Sequence, residues 1–245
     1  MNKPFDTYFG GKNASGVYHH IINEIRPHDV YIEPCLGNGT IFRYKKPATY
    51  NVLNDMDKWV VKRWKLINID VFNNGAVELL TSYTFNPDLR YCIYLDPPYP
   101  LHSRKSQRLV YNCEMSDEQH ERLLDTILAL PENVDVLIST YQNELYESRL
   151  ADWRLKTFTA QTRQGTATEY LYMNYQNPTG LLHDYRYLGT DFIDRQRIKR
   201  KIAREVAKLQ NLPPAERNAI LSEVASSFSI DEIGLTVLGM IHLAT

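Results

Sequence analysis

The sequence is poor in cysteine and contains no long apolar run. Its 245 residues include three scattered cysteines, Cys35, Cys92 and Cys113, which argue against a disulfide framework or a zinc site and favour a reducing compartment. No apolar stretch approaches membrane-spanning length, and the first residues show no basic segment followed by an apolar one. We therefore expect a cytoplasmic protein that has no bound metal and no membrane segment.

An excess of one charge is also missing, since 28 Lys and Arg residues stand against 29 Asp and Glu residues. Between residues 185 and 208, however, eight Lys or Arg residues stand against three acids, which makes a local positive patch. Apolar residues at helical spacing over residues 192–209 predict an amphipathic helix there. Its polar face carries Arg195, Arg197, Lys199, Arg200 and Lys201. Taken alone, this pattern is typical of a solvated face, and in a nucleic-acid enzyme it predicts contacts to phosphates.

Short apolar runs alternate with helical patterns from residue 17 onward. The predicted strand at residues 30–32 runs into Glu33 and the turn Gly37-Asn38-Gly39, an arrangement that lets the backbone wrap a nucleoside-bearing cofactor. The next predicted strand, residues 50–53, ends near Asp55. An acid about twenty residues after such glycines is where hydrogen bonds hold a ribose diol. The two features together predict a cofactor site at one edge of a parallel sheet.

A third strand ends in a rigid corner, Asp96-Pro97-Pro98-Tyr99, after the apolar run at residues 91–95. Proline cannot continue a central strand, and the residue before it is pushed toward an extended backbone. We therefore expect the carboxylate and a flat aromatic ring to project side by side at the carboxyl edge of the sheet. An ordinary loop is an equally good interpretation of this tetrapeptide taken alone.

Two further stretches place positive charge near these strand ends. Gly10-Gly11-Lys12 allows a close backbone approach, and the lysine is placed to meet a carboxylate or phosphate. Its spacing is not that of a P-loop, so a nucleoside triphosphate is not expected. The segment 101–112 lacks periodicity and predicts a mobile loop beside the site, with Arg104, Lys105 and Arg108 available to a nucleic acid.

Five segments in this order resemble the Dam-like class of adenine-N6 DNA methyltransferases. They cover roughly residues 5 to 176 and are Tyr8-Phe9-Gly10-Gly11-Lys12, residues 33–39, Asn54-Asp55, Asp96-Pro97-Pro98-Tyr99 and residues 169–175. The resemblance implies an α/β fold, a Rossmann-like seven-stranded mixed sheet of the class I methyltransferase type, and S-adenosylmethionine as the methyl donor. We expect this methyltransferase domain to span residues 1–180, and residues 181–245 to form a basic helical C-terminal subdomain.

The resemblance also implies roles for individual residues. The cofactor would be held by Tyr8, Lys12, Glu33, Gly37, Gly39 and Asp55, with the last on the ribose. Asp96 and the Pro97 carbonyl would accept the hydrogens of the adenine amino group, and the flipped-out base would stack on Tyr99. DNA is the implied partner, and a restriction endonuclease is a further candidate partner.

Two departures from the family pattern stand out. Cys35 replaces the aromatic residue that usually follows Glu-Pro, and the interval between Gly39 and Asp96 is too short for the family's target-recognition domain. Sequence recognition is therefore expected in the 101–112 loop or the C-terminal tail. An RNA adenine-N6 methyltransferase and a catalytically silent nucleic-acid-binding protein on the same scaffold are the alternatives, and transfer to cytosine N4 ranks lower.

Overall fold

The computed structural model describes residues 4–5, 10–13, 16–104, 108–162, 165–177 and 180–228, leaving aside the side chain of residue 162. The chain divides into two compact units, one made of residues 1–21 and 28–177 and the other of residues 22–27 and 178–245. Within the described part of the chain, none of the helices combines the length and the apolar composition needed to cross a bilayer.

Helices and strands alternate along the first unit, as expected for an α/β fold. The strands are β1 (Val30–Glu33), β2 (Tyr50–Leu53), β3 (Tyr91–Leu95), β4 (Val134–Thr140), β5 (Arg154–Thr162) and β6 (Gly165–Met173). The helices are α1 (Val17–Ile22), α2 (Thr40–Tyr44), α3 (Lys58–Lys65), α4 (Ala76–Ser82), α5 (Asp117–Leu128) and α6 (Glu144–Arg149). Two more helices, α7 (Phe192–Gln210) and α8 (Pro214–Ser227), follow in the second unit.

The six strands form one mixed sheet in the order β2-β1-β3-β4-β6-β5. The first four are mutually parallel, and β6 pairs antiparallel with both β4 and β5. From β1 the chain moves outward to β2 and later returns to add β3 on the other side. The crevice between the carboxyl ends of β1 and β3 is therefore the topological switch point, where ligands bind in open α/β sheets.

The expected Rossmann-like α/β fold is confirmed, but the strand count is six among the described residues and not seven. The segment that follows α3 reaches β2 through a single parallel bridge, in which Asn54 lies opposite Phe72. The Phe72 N–H donates to the Leu53 carbonyl and its own carbonyl accepts from Asp55. Asn73, Asn74 and Gly75 then lead directly into α4, so the pairing is too short to form a strand.

The core lies on both faces of the central strands. All residues of β1, β3 and β4 are buried, which is typical of parallel strands covered by helices on both faces. Ile32, Ile93 and Leu123 belong to one fully buried cluster, and Trp64 on α3 anchors a second. Each such apolar side chain contributes roughly 1.5–3 kcal/mol when it is removed from water. This packing makes the carboxyl edge of the sheet a rigid base for the site.

Most of the predicted elements are present with small shifts at their ends. A capping box begins α5, because the Ser116 hydroxyl accepts from the Gln119 N–H while the Gln119 side chain accepts from the Ser116 N–H. Helices α4 and α6 were not predicted. Both are shorter than eight residues, and in so short a segment the apolar period is barely visible.

The second unit contrasts with the first, because neither α7 nor α8 contains a buried residue. Asp191 caps α7 by accepting from the Asp194 N–H, and α8 begins with Pro214, whose fixed backbone angle suits the first turn of a helix. The His183 N–H donates to the Ile25 carbonyl at 2.9 Å, which ties residues 22–27 to this unit. The apolar stretch 230–243 lies outside the described residues.

Candidate active site

Three acidic residues meet at the carboxyl edge of the sheet. Glu33 is the last residue of β1, Asp55 lies two positions after β2, and Asp96 directly follows β3. All three line one cavity of about 610 Å³. The cavity is also lined by Lys12, Gly37 and Gly39, so it brings together six of the residues predicted from sequence. Tyr8 and Lys105 lie outside the described residues.

The glycine turn is shaped by the tryptophan beneath it. Gly37 and Gly39 have φ angles of 48° and 56°, a left-handed backbone that costs other residues roughly 1–2 kcal/mol. A Cβ on Gly39 would lie 2.5 Å from a ring carbon of Trp64, and the Trp64 Nε1–H donates to the Gly37 carbonyl at 2.8 Å. The turn needs glycine both for its backbone angles and for the close approach of α3.

Asp55 is held by backbone donors. Its Oδ2 accepts from the Gly37 N–H at 2.7 Å and its Oδ1 from the Asp57 N–H at 2.9 Å. Burial raises the pKa of Asp55 to about 6, although these two hydrogen bonds act in the opposite direction. Each carboxylate oxygen keeps a further lone pair. The group can therefore fix the glycine turn and still accept from two vicinal hydroxyls.

Glu33 lies between the other two acids and is almost completely buried. Its Oε2 accepts from the Tyr31 hydroxyl at 2.7 Å and from the Phe42 N–H at 3.2 Å. Burial raises the pKa of Glu33 to about 8, and the negative charge of Asp96 adds to the rise. A buried carboxyl group of this kind favours a cationic ligand, because a positive charge nearby would stabilise its ionised form.

Two polar atoms in the glycine turn were not assigned a role from the sequence. Asn38 Oδ1 and Thr40 Oγ1 are buried, have no hydrogen-bond partner in the structure, and belong to residues that line the cavity. Buried polar groups are rarely left without a partner. The sequence signal that could have identified Asn38 and Thr40 was their position in the segment Gly37-Asn38-Gly39-Thr40, of which only the glycines were assigned a role.

The opposite end of the cavity is organised by a buried lysine. Lys12 Nζ lies 2.9 Å from Asp96 Oδ1 and donates to the Tyr99 hydroxyl at 2.6 Å. The Tyr99 hydroxyl in turn donates to Glu169 Oε2 at 2.6 Å, and Lys12 Nζ lies 3.6 Å from that oxygen. The Asp96 side chain is 20% exposed, whereas that of Lys12 is 7% exposed. Asp96 is therefore the member of this group that is open to a ligand.

The electrostatics of this group follow from burial and mutual pairing. Burial alone would lower the pKa of Lys12, but the Asp96 and Glu169 carboxylates outweigh it and hold that pKa well above its ordinary value. Burial raises the pKa of Asp96, with the Lys12 ammonium opposing the rise. Glu169 was part of a segment noted in the sequence, but nothing local indicated its partners, which lie far away along the chain.

The rest of the Asp-Pro-Pro-Tyr corner lies deeper than its first residue. Asp96 and Pro98 line the cavity, while Pro97 and Tyr99 are not among the described lining residues and are buried. The Tyr99 ring packs edge-on against Tyr141, with centroids 4.6 Å apart. The sequence-based roles of Pro97 as an acceptor and Tyr99 as a stacking surface remain predictions.

The basic residues expected to contact nucleic acid lie in several settings. The Arg104 side chain is 8% exposed and pairs with Glu114, so it is an internal residue in this structure, while Arg108 is exposed. The five predicted basic residues of α7 lie in the second unit, and the described ion pairs include Arg197 with Asp194 at 2.7 Å. Their phosphate contacts also remain predictions.

Comparisons with known proteins are limited to distant similarities of structure. No protein-family model and no curated protein matches the chain. Precorrin 8w decarboxylase of Methanobacterium thermoautotrophicum matches with 13% identity and a TM-score of 0.43 over 68% of this chain and 92% of that one. A dimethyladenosine transferase from Plasmodium falciparum matches with 12% identity and a TM-score of 0.40, over 64% of this chain and 60% of that one. The 23S rRNA methyltransferase ErmE matches with 15% identity and a TM-score of 0.41, over 65% of this chain and 67% of that one. These similarities are too low to carry an argument about activity.

Proposed function

We propose that this protein is an S-adenosylmethionine-dependent methyltransferase that acts on the exocyclic 6-amino group of adenine in DNA. The observation that carries the proposal is the placement of Asp96, a partly open carboxylate at the end of β3, in the same cavity as the Gly37–Gly39 turn and Asp55. One end of the cavity offers an acceptor for an amino group. The other offers the groups that a nucleoside-bearing cofactor needs.

The residues present fit S-adenosylmethionine. Asp55 can accept from the ribose hydroxyls, and Met56, Trp59, Ala76 and Val77 supply apolar surface for the adenine ring. The buried carboxyl of Glu33 suits the ammonium of the methionine end, and the unpartnered Asn38 and Thr40 oxygens offer hydrogen bonds to its polar groups. When bound, the cofactor supplies an electrophilic methyl group on a positively charged sulfur.

Asp96 addresses the chemical difficulty of the acceptor. The 6-amino nitrogen of adenine is a weak nucleophile because its lone pair is delocalised into the ring. A carboxylate is an acceptor only, so Asp96 can bind an amino hydrogen and turn the nitrogen lone pair toward the methyl group. The positive charge that develops on this nitrogen is then stabilised by the nearby carboxylate.

The same geometry implies that the base must leave the helix. An amino group paired inside a duplex cannot reach a cavity at a sheet edge, so the adenine has to be flipped out of the stack. The basic face of α7 supports a nucleic-acid substrate through contacts to phosphates, which carry no sequence information. The site itself addresses the amino group and not the sugar, and for this reason the experiment must compare DNA with RNA.

The proposal is tested with labelled S-adenosylmethionine, genomic DNA and total RNA as competing acceptors, followed by identification of the methylated base. We expect N6-methyladenine in DNA. Asp96→Asn should reduce transfer by about 10²–10³-fold, the effect of losing one preorganised hydrogen-bonding group, while binding of S-adenosylhomocysteine persists. Asp88→Asn, an exposed substitution outside the cavity, should transfer normally. If only RNA became labelled, the substrate would be RNA and not DNA. Full activity of Asp96→Asn would refute the role of Asp96 as the acceptor for the amino group.

A further inference from the structure

The segment 108–114, here called the strap, is held to the Asp-Pro-Pro-Tyr corner by one carboxylate. Glu114 Oε1 accepts from the Val110 N–H at 2.8 Å, the Tyr111 N–H at 3.1 Å and Arg104 Nη1 at 3.0 Å, and its Oε2 accepts from Arg104 Nη2 at 2.6 Å. Arg104 Nε donates to the Tyr99 carbonyl at 2.7 Å. A partly buried ion pair therefore holds the strap to the corner that carries Asp96.

The strap places Tyr111 in the wall of the cavity at its Asp96 end. Tyr111 lines the cavity, and a Cβ on Gly10 would overlap its hydroxyl. The Arg104 guanidinium carbon lies 5.3 Å from the Tyr111 ring centroid. Burial raises the pKa of Tyr111, and the negative charge of Asp96 raises this pKa further.

Tyr99 and Tyr111 differ in how far a ligand can reach the side chain. The Tyr99 hydroxyl is held between Lys12 and Glu169, and this residue is 8% exposed. Tyr111, by contrast, is half-buried and belongs to the cavity lining. Of these two side chains, that of Tyr111 is therefore the one that a planar base in the cavity can contact.

The strap also reaches the other end of the cavity. The Asn112 side chain donates to Asp57 Oδ2 at 2.8 Å, and Asp57 follows the acid proposed for the cofactor ribose. Tyr111 thus lies next in sequence to a residue tied to the cofactor end. The backbone that carries this ring is therefore held on both sides, by Glu114 and by Asn112.

We propose that Tyr111 is a specificity-determining contact for the acceptor base, and that the Arg104–Glu114 pair is the positioning element that presents it. The ligand class is a planar heterocyclic base with an exocyclic amino group, and the inference rests on the proposed function. Stacking of a base on an aromatic side chain corresponds to a roughly 10- to 100-fold effect on binding when the ring is removed.

The test uses Tyr111→Ala, Tyr111→Phe and the exposed control Tyr50→Ala in the full-length protein. We expect Tyr111→Ala to lower kcat/KM for the nucleic acid about 10- to 100-fold while the Kd for S-adenosylhomocysteine changes less than threefold. Tyr111→Phe should restore most of the activity, and Tyr50→Ala should behave like the unmodified protein. Equal losses of cofactor and acceptor binding in Tyr111→Ala would overturn the proposal.

The positioning role of the ion pair has its own readout. Glu114→Gln keeps the size of the side chain but removes the charge that attracts Arg104. It should raise the KM for the nucleic acid several-fold, leaving kcat and the Kd for S-adenosylhomocysteine nearly unchanged. A fall in kcat at unchanged KM would refute the claim that the Arg104–Glu114 pair positions Tyr111 for binding.

A binding experiment separates this inference from the proposed function. Adenosine binding to protein saturated with S-adenosylhomocysteine is followed by saturation-transfer NMR, which needs no turnover. We expect a signal with the unmodified protein and Tyr111→Phe, and none with Tyr111→Ala. Absence of the signal in the unmodified protein, or its persistence in Tyr111→Ala, would overturn the inference. Adenosine binding without any methyl transfer would overturn the proposed function alone.

Discussion

The two ends of the cavity hold the same type of side chain in different ways. Asp55 and Asp96 follow parallel strands on either side of β1, so both carboxylates emerge at one edge of the sheet. Asp55 is bound by the backbone N–H groups of Gly37 and Asp57, whereas Asp96 is bound by the ammonium of Lys12. Backbone donors cannot leave without unfolding the turn, but a lysine side chain can exchange partners.

This difference indicates that the two carboxylates have different roles. A carboxylate fixed by the backbone is suited to shape a turn and to hold neutral hydroxyls. A carboxylate neutralised by a side chain can be released to a substrate, because Lys12 keeps the Tyr99 hydroxyl and the Glu169 carboxylate as partners. Glu33, between them, is buried and favours its neutral form. Each of the following changes acts on one of these three arrangements.

The largest expected effect is the loss of the buried cation at the Asp96 end. Lys12→Met leaves the Asp96 and Glu169 carboxylates without their ammonium partner, and breaking a buried ion pair from one side typically costs about 3–5 kcal/mol. We expect a decrease of this size in the free energy of unfolding, measured by urea denaturation at pH 7.

The control for this prediction is Lys62→Met, an exposed lysine on α3, which should change the free energy of unfolding by less than about 0.5 kcal/mol. The double variant Lys12→Met with Asp96→Asn should recover part of the lost stability, because one of the uncompensated charges is then removed. Equal stability of Lys12→Met and the unmodified protein would contradict the importance of this pair.

The next effect is a pH dependence of cofactor binding that arises from Glu33. With a pKa of about 8, Glu33 must lose a proton before it can pair with an ammonium group. Binding of S-adenosylhomocysteine should therefore weaken by up to about tenfold per unit as the pH falls below 8. Calorimetry between pH 6.5 and 8.5, in buffers of different ionisation enthalpy, should show the release of about one proton near pH 7.

Glu33→Gln should abolish this pH dependence and should bind S-adenosylhomocysteine more weakly than the unmodified protein at pH 8. The exposed Glu121→Gln should keep both the pH dependence and the affinity of the unmodified protein. The same shift affects stability. Because the folded pKa lies above the ordinary value of 4.5, the protonated carboxyl stabilises the fold at low pH, and this contribution is lost as the pH rises from 4.5 to 8. Glu33→Gln should consequently gain stability relative to the unmodified protein over this interval. A flat affinity profile in the unmodified protein would place the ammonium elsewhere.

The smallest expected effect concerns the carboxylate held by the backbone. Asp55→Asn replaces one acceptor oxygen by a donor that faces a backbone N–H, so one hydrogen bond to a charged group is lost. We expect a decrease of about 1–2 kcal/mol in the free energy of unfolding and a roughly tenfold weaker binding of S-adenosylhomocysteine. Asp70→Asn, an exposed change after α3, provides the comparison. Equal affinity in the two variants would remove Asp55 from the cofactor site.

Part of this site could be predicted because its signals are local. Strands β1 and β3 are short apolar runs; Glu33 ends the first, Asp96 follows the second, and a proline comes directly after each acid. The partner of each acid was much harder to predict. Glu169 is 70 residues from Tyr99 along the chain, and the Arg104–Glu114 pair gave no periodic signal. The absence of a seventh strand was also not predictable. Residues 69–72 are apolar enough to form a strand, but in the structure they pair with the sheet only through the bridge at Phe72.

The sequence by itself determined where the strands end, which acids stand at those ends and where glycine turns the chain, because these depend on neighbouring residues and on the backbone freedom of glycine and proline. The tertiary structure alone decided that Lys12 neutralises Asp96, that Trp64 supports the Gly37 turn and that Glu114 presents Tyr111 to the cavity. A buried charge or N–H must find its partner in space, and only the packed fold determines which groups come within hydrogen-bonding distance.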